Sequence, residues 1–256
     1  MGRSRVDDVE RCAYDAWPAE EVFPLGGWRL RATGGVTRRG NSVWPGEATG
    51  GLSLDERIER VEAWYTARAL RPAFQVHALA APEGLDVALE ARGYAIDAPV
   101  SVQVAPTASA AALARPASLP PARVTAELTA EWFEVSAYRG RFAATADVYR
   151  RLLQRIGRRA RYAWVDVDGR PGAVGLGVLG ADARMGVFSM LTVPEVRRRG
   201  AARSVLRALA ETAQREQKTE LYLQVEQDNA VARGLYAAAS FQELYGYHYR
   251  VRATRP

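Results

Sequence analysis

The sequence TVPEVRRRGAARSVLRALAE, at residues 192–211, joins the end of a predicted strand to a predicted helix. It contains Pro194, which ends a predicted strand, followed by Arg197, Arg198, Arg199 and Gly200 and then by apolar residues at helical spacing. A helix N-terminus carries about half a positive charge, so each cation there costs a few tenths of a kcal/mol. Three arginines at this end indicate that the sequence provides for a negatively charged partner.

The start of this predicted helix has no side chain suited to cap it. No Ser, Thr, Asp or Asn lies between Val193 and Arg203, although one of these residues normally accepts a hydrogen bond from the first amides. Gly200, Ala201 and Ala202 are small enough for a ligand to approach the backbone. The pattern predicts a phosphate site at the helix N-terminus. The alternative is a basic loop before a surface helix, and the motifs of P-loops and dinucleotide folds are both absent.

A second copy of the pattern occurs in the first half of the chain. The segments FQV (74–76) and LQV (223–225) match, and the interval from Gln75 to Gln224 equals that from Gly51 to Gly200. The sequence therefore predicts two copies of one α/β unit. In the first copy the matching helix begins with Ser53 and Glu56, which form a capping box and would repel an anion.

The composition of residues 105–121, APTASAAALARPASLPP, is typical of a linker. It predicts an N-terminal domain at 1–105, a linker at 106–121 and a second domain at 122–256. In the second domain, alternating strand and helix patterns predict a mixed α/β fold.

Asn229 and Tyr236 lie seven residues apart and share one face of a predicted helix, with Arg233 between them. The structural alternatives are a helix cap for Asn229 and a core position for Tyr236. The matching residue in the first copy is Leu89, so the hydroxyl occurs only in the copy with the phosphate turn. This difference favours a chemical role for Tyr236.

Composition limits the class of protein. The net charge of +6 suits nucleic acid, phosphates or an anionic cofactor, or reflects an Arg- and Ala-rich composition. No aromatic and basic pattern of nucleic-acid binding stands out. Cys12 is the only cysteine and there are two histidines, so we expect no disulfide and no metal site. Without an apolar leader or membrane span, we expect a cytoplasmic protein.

Residues 185–241 resemble the GNAT superfamily of acyl-CoA-dependent N-acyltransferases. The resemblance rests on LTV at a strand end, RRRGAA, LQV, and the pattern N-x-x-A-x-x-L-Y ending in SF, where the family usually has Gly-Phe. It implies a tandem member with a degenerate first copy, and a mixed sheet that splays beside a bulge, with acetyl-CoA in the gap. It implies Tyr236 as the general acid for the departing thiolate. The cofactor-binding residues implied are Leu191, Thr192, Val193, Arg197, Arg198, Arg199, Gly200, Ala201, Ala202 and Asn229.

The resulting hypothesis is an acetyl-CoA-dependent N-acetyltransferase that acts on a small-molecule or peptide amine. We expect a backbone amide such as that of Val193 to stabilise the oxyanion. The general base stays open, because the strand position where relatives often carry Glu holds Ser189 or a neighbour, and the acidic candidates are Glu131, Glu134, Glu195, Glu226 and Glu243. The alternatives are a non-catalytic acyl-CoA-binding sensor or scaffold, and a nucleic-acid-binding protein.

Overall fold

The computed structural model describes residues 3–46, 49–77 and 83–252. The helices are α1 (Arg3–Ala16), α2 (Leu54–Thr66), α3 (Leu85–Ala91), α4 (Thr107–Ala111), α5 (Ala130–Phe133), α6 (Ala146–Ile156), α7 (Ala201–Arg215) and α8 (Ala230–Ala238). The strands are β1 (Glu21–Leu25), β2 (Trp28–Ala32), β3 (Val43–Trp44), β4 (Ala73–His77), β5 (Tyr94–Pro106), β6 (Arg123–Thr125), β7 (Ala160–Val167), β8 (Arg170–Leu179), β9 (Arg184–Thr192), β10 (Glu220–Glu226) and β11 (Gln242–Arg252). The expectation of a mixed α/β fold is confirmed.

The chain forms two compact units, and each is assembled from separate chain segments. The large unit comprises Met1–Ala16, Val102–Val225 and Asn229–Tyr245, and the small unit comprises Trp17–Ser101, Glu226–Asp228 and Gly246–Pro256.

The sheet of the small unit has the strand order β1-β2-β3-β4-β11. Strand β2 is antiparallel to both β1 and β3, β3 and β4 are parallel, and β11 is antiparallel to β4. The apolar face of α2 packs on this sheet through Ile58, Val61 and Tyr65, against a core that includes Trp28 and Phe74. These five side chains are fully buried, so helix and sheet exclude water from one another.

The sheet of the large unit has the strand order β5-β10-β9-β8-β7-β6. Strands β6 to β9 run antiparallel, and β9 is parallel to β10, with α7 as the crossover between them. Val205, Leu206 and Leu209 on α7 are fully buried, as their helical spacing predicts. The crossover places the N-terminus of α7 directly after the end of β9.

The boundaries of the two units do not follow the predicted division of the chain at residues 106–121. The end of β11 belongs to the small unit, where Tyr247 pairs with His77, whereas α1 belongs to the large unit. The segment expected to be a linker contains α4, where the Thr107 amide donates to the Thr219 carbonyl at 2.9 Å. Its many alanines were interpreted as part of a flexible linker. Ala also has the highest helix propensity of all residues, which explains why the segment contains a helix.

Candidate active site

The strands β9 and β10 separate beyond their first four paired residues. Pairing runs from Arg184 with Glu220 to Val187 with Leu223, and both strands then continue without pairing to each other. On its other edge, β9 has a bulge against β8, where the register shifts between Val174 and Leu176. The large unit thus contains the splay beside a bulge that the GNAT resemblance implies.

The N-terminus of α7 opens beside this splay without a side-chain cap. Gly200 is the N-cap residue, and its φ of 83° lies in the left-handed region that favours glycine. A Cβ atom at this position would also overlap Pro116. The first helical hydrogen bond runs from the Ser204 amide to the Gly200 carbonyl at 3.1 Å, which leaves the preceding amides, including those of Ala201 and Ala202, without an intrahelical acceptor.

The matching helix α2 satisfies its own N-terminus. The Ser53 hydroxyl accepts from the Glu56 amide at 3.2 Å, and the Glu56 carboxylate accepts from the Ser53 amide at 2.8 Å. Asp55 adds a second acidic residue to the first turn. The predicted difference between one capped and one uncapped helix is confirmed.

The three arginines before Gly200 have different partners. Arg199 donates two hydrogen bonds to Asp168, at 2.6 and 3.0 Å, and these bonds lower the pKa of that carboxyl. Arg197 reaches only the Thr192 carbonyl, at 3.5 Å, and Arg198 is exposed with a left-handed φ of 65°. Arg199 therefore fixes the turn, and within the described residues Arg197 and Arg198 have no carboxylate partner.

The end of β9 presents backbone to the gap. Leu191 and Thr192 are half-buried and pair with β8 on one edge, whereas β10 does not pair with them on the other. The amide of Val193 donates to the Gly172 carbonyl at 2.9 Å, so it is not free to stabilise an oxyanion as we expected. The chain remains attached to β8 for one residue beyond the strand, which accounts for the difference.

Asn229 and Tyr236 lie at the two ends of α8. The Asn229 side-chain oxygen accepts from the Ala232 amide at 3.1 Å, so Asn229 does cap this helix. Tyr236 is 7% exposed and packs on Phe241 with ring centroids 5.7 Å apart. Within the described residues its hydroxyl has no hydrogen-bond partner, and burial raises its pKa to about 12. The phenol is therefore protonated at neutral pH.

The acidic candidates for a general base are exposed or engaged. The pKa of Glu195 is lowered, first by a hydrogen bond from its own amide and also by Arg139, with which it forms an ion pair. Glu226 pairs with Arg38 at 3.1 Å. The remaining three, Glu131, Glu134 and Glu243, are exposed.

Sequence reasoning did not find a chain of three hydroxyl groups that ends at the bulge. Ser136 and Tyr149 are 2.9 Å apart at their oxygens, and the same distance separates the oxygens of Tyr149 and Ser189. The signal in the sequence was one polar residue, Ser189, inside the apolar run VFSML at 187–191. Its partners are distant in sequence, so no local pattern connected them.

Two negative observations apply to the described residues alone. Within them, no group of three His, Cys, Asp or Glu side chains is arranged to hold a metal ion. No helix among residues 3–46, 49–77 and 83–252 has both the length and the apolar character needed to cross a membrane.

Known proteins resemble the chain along most of its length. The "Uncharacterized N-acetyltransferase YobR" of Bacillus subtilis (strain 168) is 27% identical over 251 residues, which cover 96% of this chain and 98% of that protein. The solved GCN5-related N-acetyltransferase from Kribbella flavida superposes with a TM-score of 0.71 at 15% identity, covering 100% of this chain and 97% of the other.

The tandem GNAT protein from the clavulanic acid biosynthesis pathway superposes with a TM-score of 0.60 at 16% identity, covering 78% of this chain and 70% of that one. At these identities the solved structures establish the fold, so the resemblance to GNAT proteins is confirmed. Residues 3–252 match the family model described as "Probable histone acetyltransferase Rv0428c C-terminal". Because that match spans nearly the whole sequence, the chain belongs to this family of GNAT-type acetyltransferases.

Proposed function

We propose that the chain transfers an acetyl group from acetyl-CoA to a primary amine at the splay of the large unit. The observation that carries the proposal is the uncapped N-terminus of α7, which opens beside diverging strands and is preceded by two arginines without carboxylate partners. The capped N-terminus of α2 offers no comparable site. Free amides and positive charge at a helix N-terminus are the groups that bind phosphate.

The residues at this end of the large unit fit acetyl-CoA. The free amides from Arg198 to Ala202 would hold the pyrophosphate, with Arg197 and Arg198 adding positive charge. Glycine at position 200 is required by the left-handed φ and by Pro116, and it also keeps the backbone accessible. The strand end at Leu191 and Thr192 has backbone groups for the pantetheine arm, and the Asn229 amide nitrogen remains available to it because the cap uses only the oxygen. Val193, expected from the sequence to take part, does not, because its amide donates to Gly172 and its carbonyl accepts from Val196.

Tyr236 is suited to the role of general acid. When bound, acetyl-CoA supplies an acetyl thioester whose thiol has an ordinary pKa of about 8.5. The buried phenol stays protonated below about pH 12, and its hydroxyl is not engaged elsewhere in the described residues. A phenol with this pKa is a weaker acid than the thiol, but desolvation in a closed site also raises the pKa of the thiol and so reduces the difference that proton donation from Tyr236 must overcome.

The test has two parts. CoA at 100 times its Kd should raise the free energy of unfolding by about 2.7 kcal/mol, read as an increase in Tm. Thiol release from acetyl-CoA is then followed with five amines: benzylamine, ethanolamine, spermidine, Nα-acetyl-lysine amide and a lysine-containing peptide. Ser53→Ala, which removes the cap of α2, is the matched control and should leave CoA binding unchanged. No Tm increase with CoA would overturn the proposal.

A second candidate is a non-catalytic acyl-CoA-binding protein. It is favoured by the acidic side chains, because Glu195 and Glu226 are held in ion pairs and neither is poised as a base. It predicts the same Tm increase with CoA but no thiol release with any of the five amines. Salt-sensitive binding of nucleic acid that CoA does not displace would instead support a nucleic-acid-binding protein.

A further inference from the structure

The chain of hydroxyl groups formed by Ser136, Tyr149 and Ser189 links the helical side of the large unit to the bulge in β9. Both oxygen–oxygen distances are 2.9 Å. Ser136 is 4% exposed and Tyr149 is fully buried, whereas Ser189 is half-buried. The three groups therefore form a path from the protein interior to one accessible hydroxyl at the site.

Local structure holds each member of this hydroxyl chain in place. Ser136 lies in a π-helical turn, Glu134–Tyr138, that continues α5, and such turns are frequent at functional sites. The Tyr149 ring packs on Phe142, with centroids 4.3 Å apart. Ser189 has a φ of 49°, a left-handed value that costs energy for a residue with a Cβ atom. Strain of this kind is found where the surrounding structure fixes a side chain for function.

Ser189 and Met190, neighbours at the bulge of β9, lie on opposite faces of the sheet, as successive strand residues do. A Cβ atom at Gly175 would meet Met190 and Val205, which places Met190 on the side of α7. Ser189 instead points to α6, where its hydroxyl meets Tyr149. The Ser189 hydroxyl therefore lies on the face opposite α7, two residues before the backbone that we assign to the pantetheine arm.

The hydroxyl chain can present an acceptor at its exposed end. Tyr149 has a single proton, which it donates to one serine while it accepts from the other. When the Tyr149 hydroxyl donates to Ser136, the Ser189 hydroxyl donates to Tyr149. The lone pairs of the Ser189 oxygen then face outward. Burial raises the pKa of Tyr149, so the middle member remains a neutral hydroxyl. No carboxylate of the described residues hydrogen-bonds to the three groups, so they orient a partner but offer no final acceptor for its proton.

We propose that Ser189 accepts a hydrogen bond from the N–H of the attacking amine, and that Tyr149 and Ser136 are positioning residues that hold its hydroxyl. The inference rests on the proposed acetyl transfer, and it assigns the contact that aligns the amine lone pair with the thioester. No proton is transferred to the hydroxyl chain, because the N–H bond of the amine stays intact while the amine lone pair is oriented towards the thioester.

The test measures thiol release from acetyl-CoA with the five amines named above. Ser189→Gly removes the hydroxyl in a residue that suits the left-handed backbone, and Ser189→Ala removes it without that relief. Both variants should lower kcat/KM for the amine by about 3- to 10-fold, which corresponds to one neutral hydrogen bond. The KM for acetyl-CoA and the Tm increase with CoA should not change.

Tyr149→Phe keeps the ring packing and removes the middle hydroxyl. It should lower kcat/KM for the amine in the same direction, and Tyr149→Phe combined with Ser189→Ala should be no worse than Ser189→Ala alone, because the two residues act through one contact. The matched control is Tyr162→Phe, a buried tyrosine of the same unit whose hydroxyl donates to the Leu153 carbonyl at 3.4 Å and forms no hydrogen bond with the three hydroxyl groups. Its kcat/KM should equal that of the unmodified protein.

Three results would overturn the inference alone: unchanged kcat/KM in Ser189→Gly, additive losses in the double variant, or an equal loss in Tyr162→Phe. A protein that binds CoA but releases no thiol with any of the five amines overturns the proposed acetyl transfer, and the role of Ser189 with it. The two failures are therefore distinguishable.

Discussion

The N-termini of α2 and α7 follow corresponding strands of the two units, and they satisfy their amide groups in opposite ways. Helix α2 uses Ser53 and Glu56 from its own first turn, whereas α7 begins at Gly200 with no capping side chain. A capped helix gains stability from its own residues. An uncapped helix lacks that stabilisation, so the difference separates a helix start that its own side chains complete from one whose first amides have no acceptor within the helix.

Among substitutions that test the difference between the two copies, Tyr236→Phe should have the largest effect. The first copy has Leu89, fully buried, where the second has Tyr236, so a purely apolar role would tolerate the loss of the hydroxyl. As a general acid, Tyr236 should contribute about 10²- to 10⁴-fold to kcat. The loss should be constant between pH 6 and 9, because the phenol with its pKa of about 12 is protonated throughout.

The measurement for Tyr236→Phe is kcat for thiol release across this pH range, with the CoA-dependent increase in Tm as the control for binding. A reduced kcat together with an unchanged increase in Tm with CoA supports the role of Tyr236 as the general acid. If the variant retains full kcat on an amine that the unmodified protein acetylates, the hydroxyl serves packing alone.

The second effect comes from giving α7 the acidic first turn of α2. Ala202→Asp with Arg203→Glu places acids where α2 has Asp55 and Glu56, and changes the charge by three units near the phosphate site. At about 0.3–1 kcal/mol per charge, CoA should bind about 5- to 150-fold more weakly. Without CoA the free energy of unfolding should rise slightly, because acids suit this end of a helix.

Titration of the Tm with CoA measures the second effect. The control is Thr66→Asp with Arg71→Glu, which changes the net charge equally at exposed positions of the small unit. The idea of a phosphate site at α7 fails if both double variants weaken CoA binding to the same extent.

The cap of α2 and the absence of a cap at α7 could be predicted from the sequence, because both depend on residues close together in the chain. Ser53 and Glu56 are three residues apart, and the absence of a cap before Ala201 is visible within a few positions. The pairing of Arg199 with Asp168 was not predicted, since it joins a helix start to a turn between two strands. Only the folded sheet brings such groups together.

The same dependence on residues distant in sequence explains the other contacts that the sequence did not predict. The chain from Ser136 to Ser189 depends on the packing of α6 against β9, which no periodicity reports. The pairing of β11 with β4 was missed because both copies end in strands of similar pattern, and the sequence does not say which partner each strand takes. The hydrogen bond that occupies the Val193 amide likewise depends on Gly172, which is distant in sequence.

The third effect concerns stability alone. Ser53→Ala removes the side-chain acceptor of the α2 cap and should lower the free energy of unfolding by about 0.5–2 kcal/mol. The Tm increase with CoA and kcat should stay at the values of the unmodified protein. Denaturant unfolding with and without CoA measures both. A reduced affinity for CoA in this variant would mean that the small unit takes part in binding, contrary to the comparison.

The smallest effect is a pH dependence confined to the small unit. Asp86 accepts hydrogen bonds from Arg250 and His248, and these interactions, the first being the larger, lower its pKa to about 2. A lowered pKa means that the ionised carboxylate stabilises the fold above about pH 4, and that this contribution is lost as the pH falls towards 2. Because the carboxylate is partly exposed, the contribution should be below about 1 kcal/mol.

The measurement for Asp86 is the free energy of unfolding of the unmodified protein and of Asp86→Asn between pH 2 and 7. The difference between them should be greatest above pH 5 and should vanish near pH 2. Asp8→Asn, at an exposed position of α1 beyond the first turn of that helix, is the matched control. A difference that persists at pH 2 would show that Asp86 acts through packing and not through its charge. If it vanishes as expected, the charge of Asp86 links α3 to Arg250 and His248 of β11, and this ion pair contributes to the stability of the small unit.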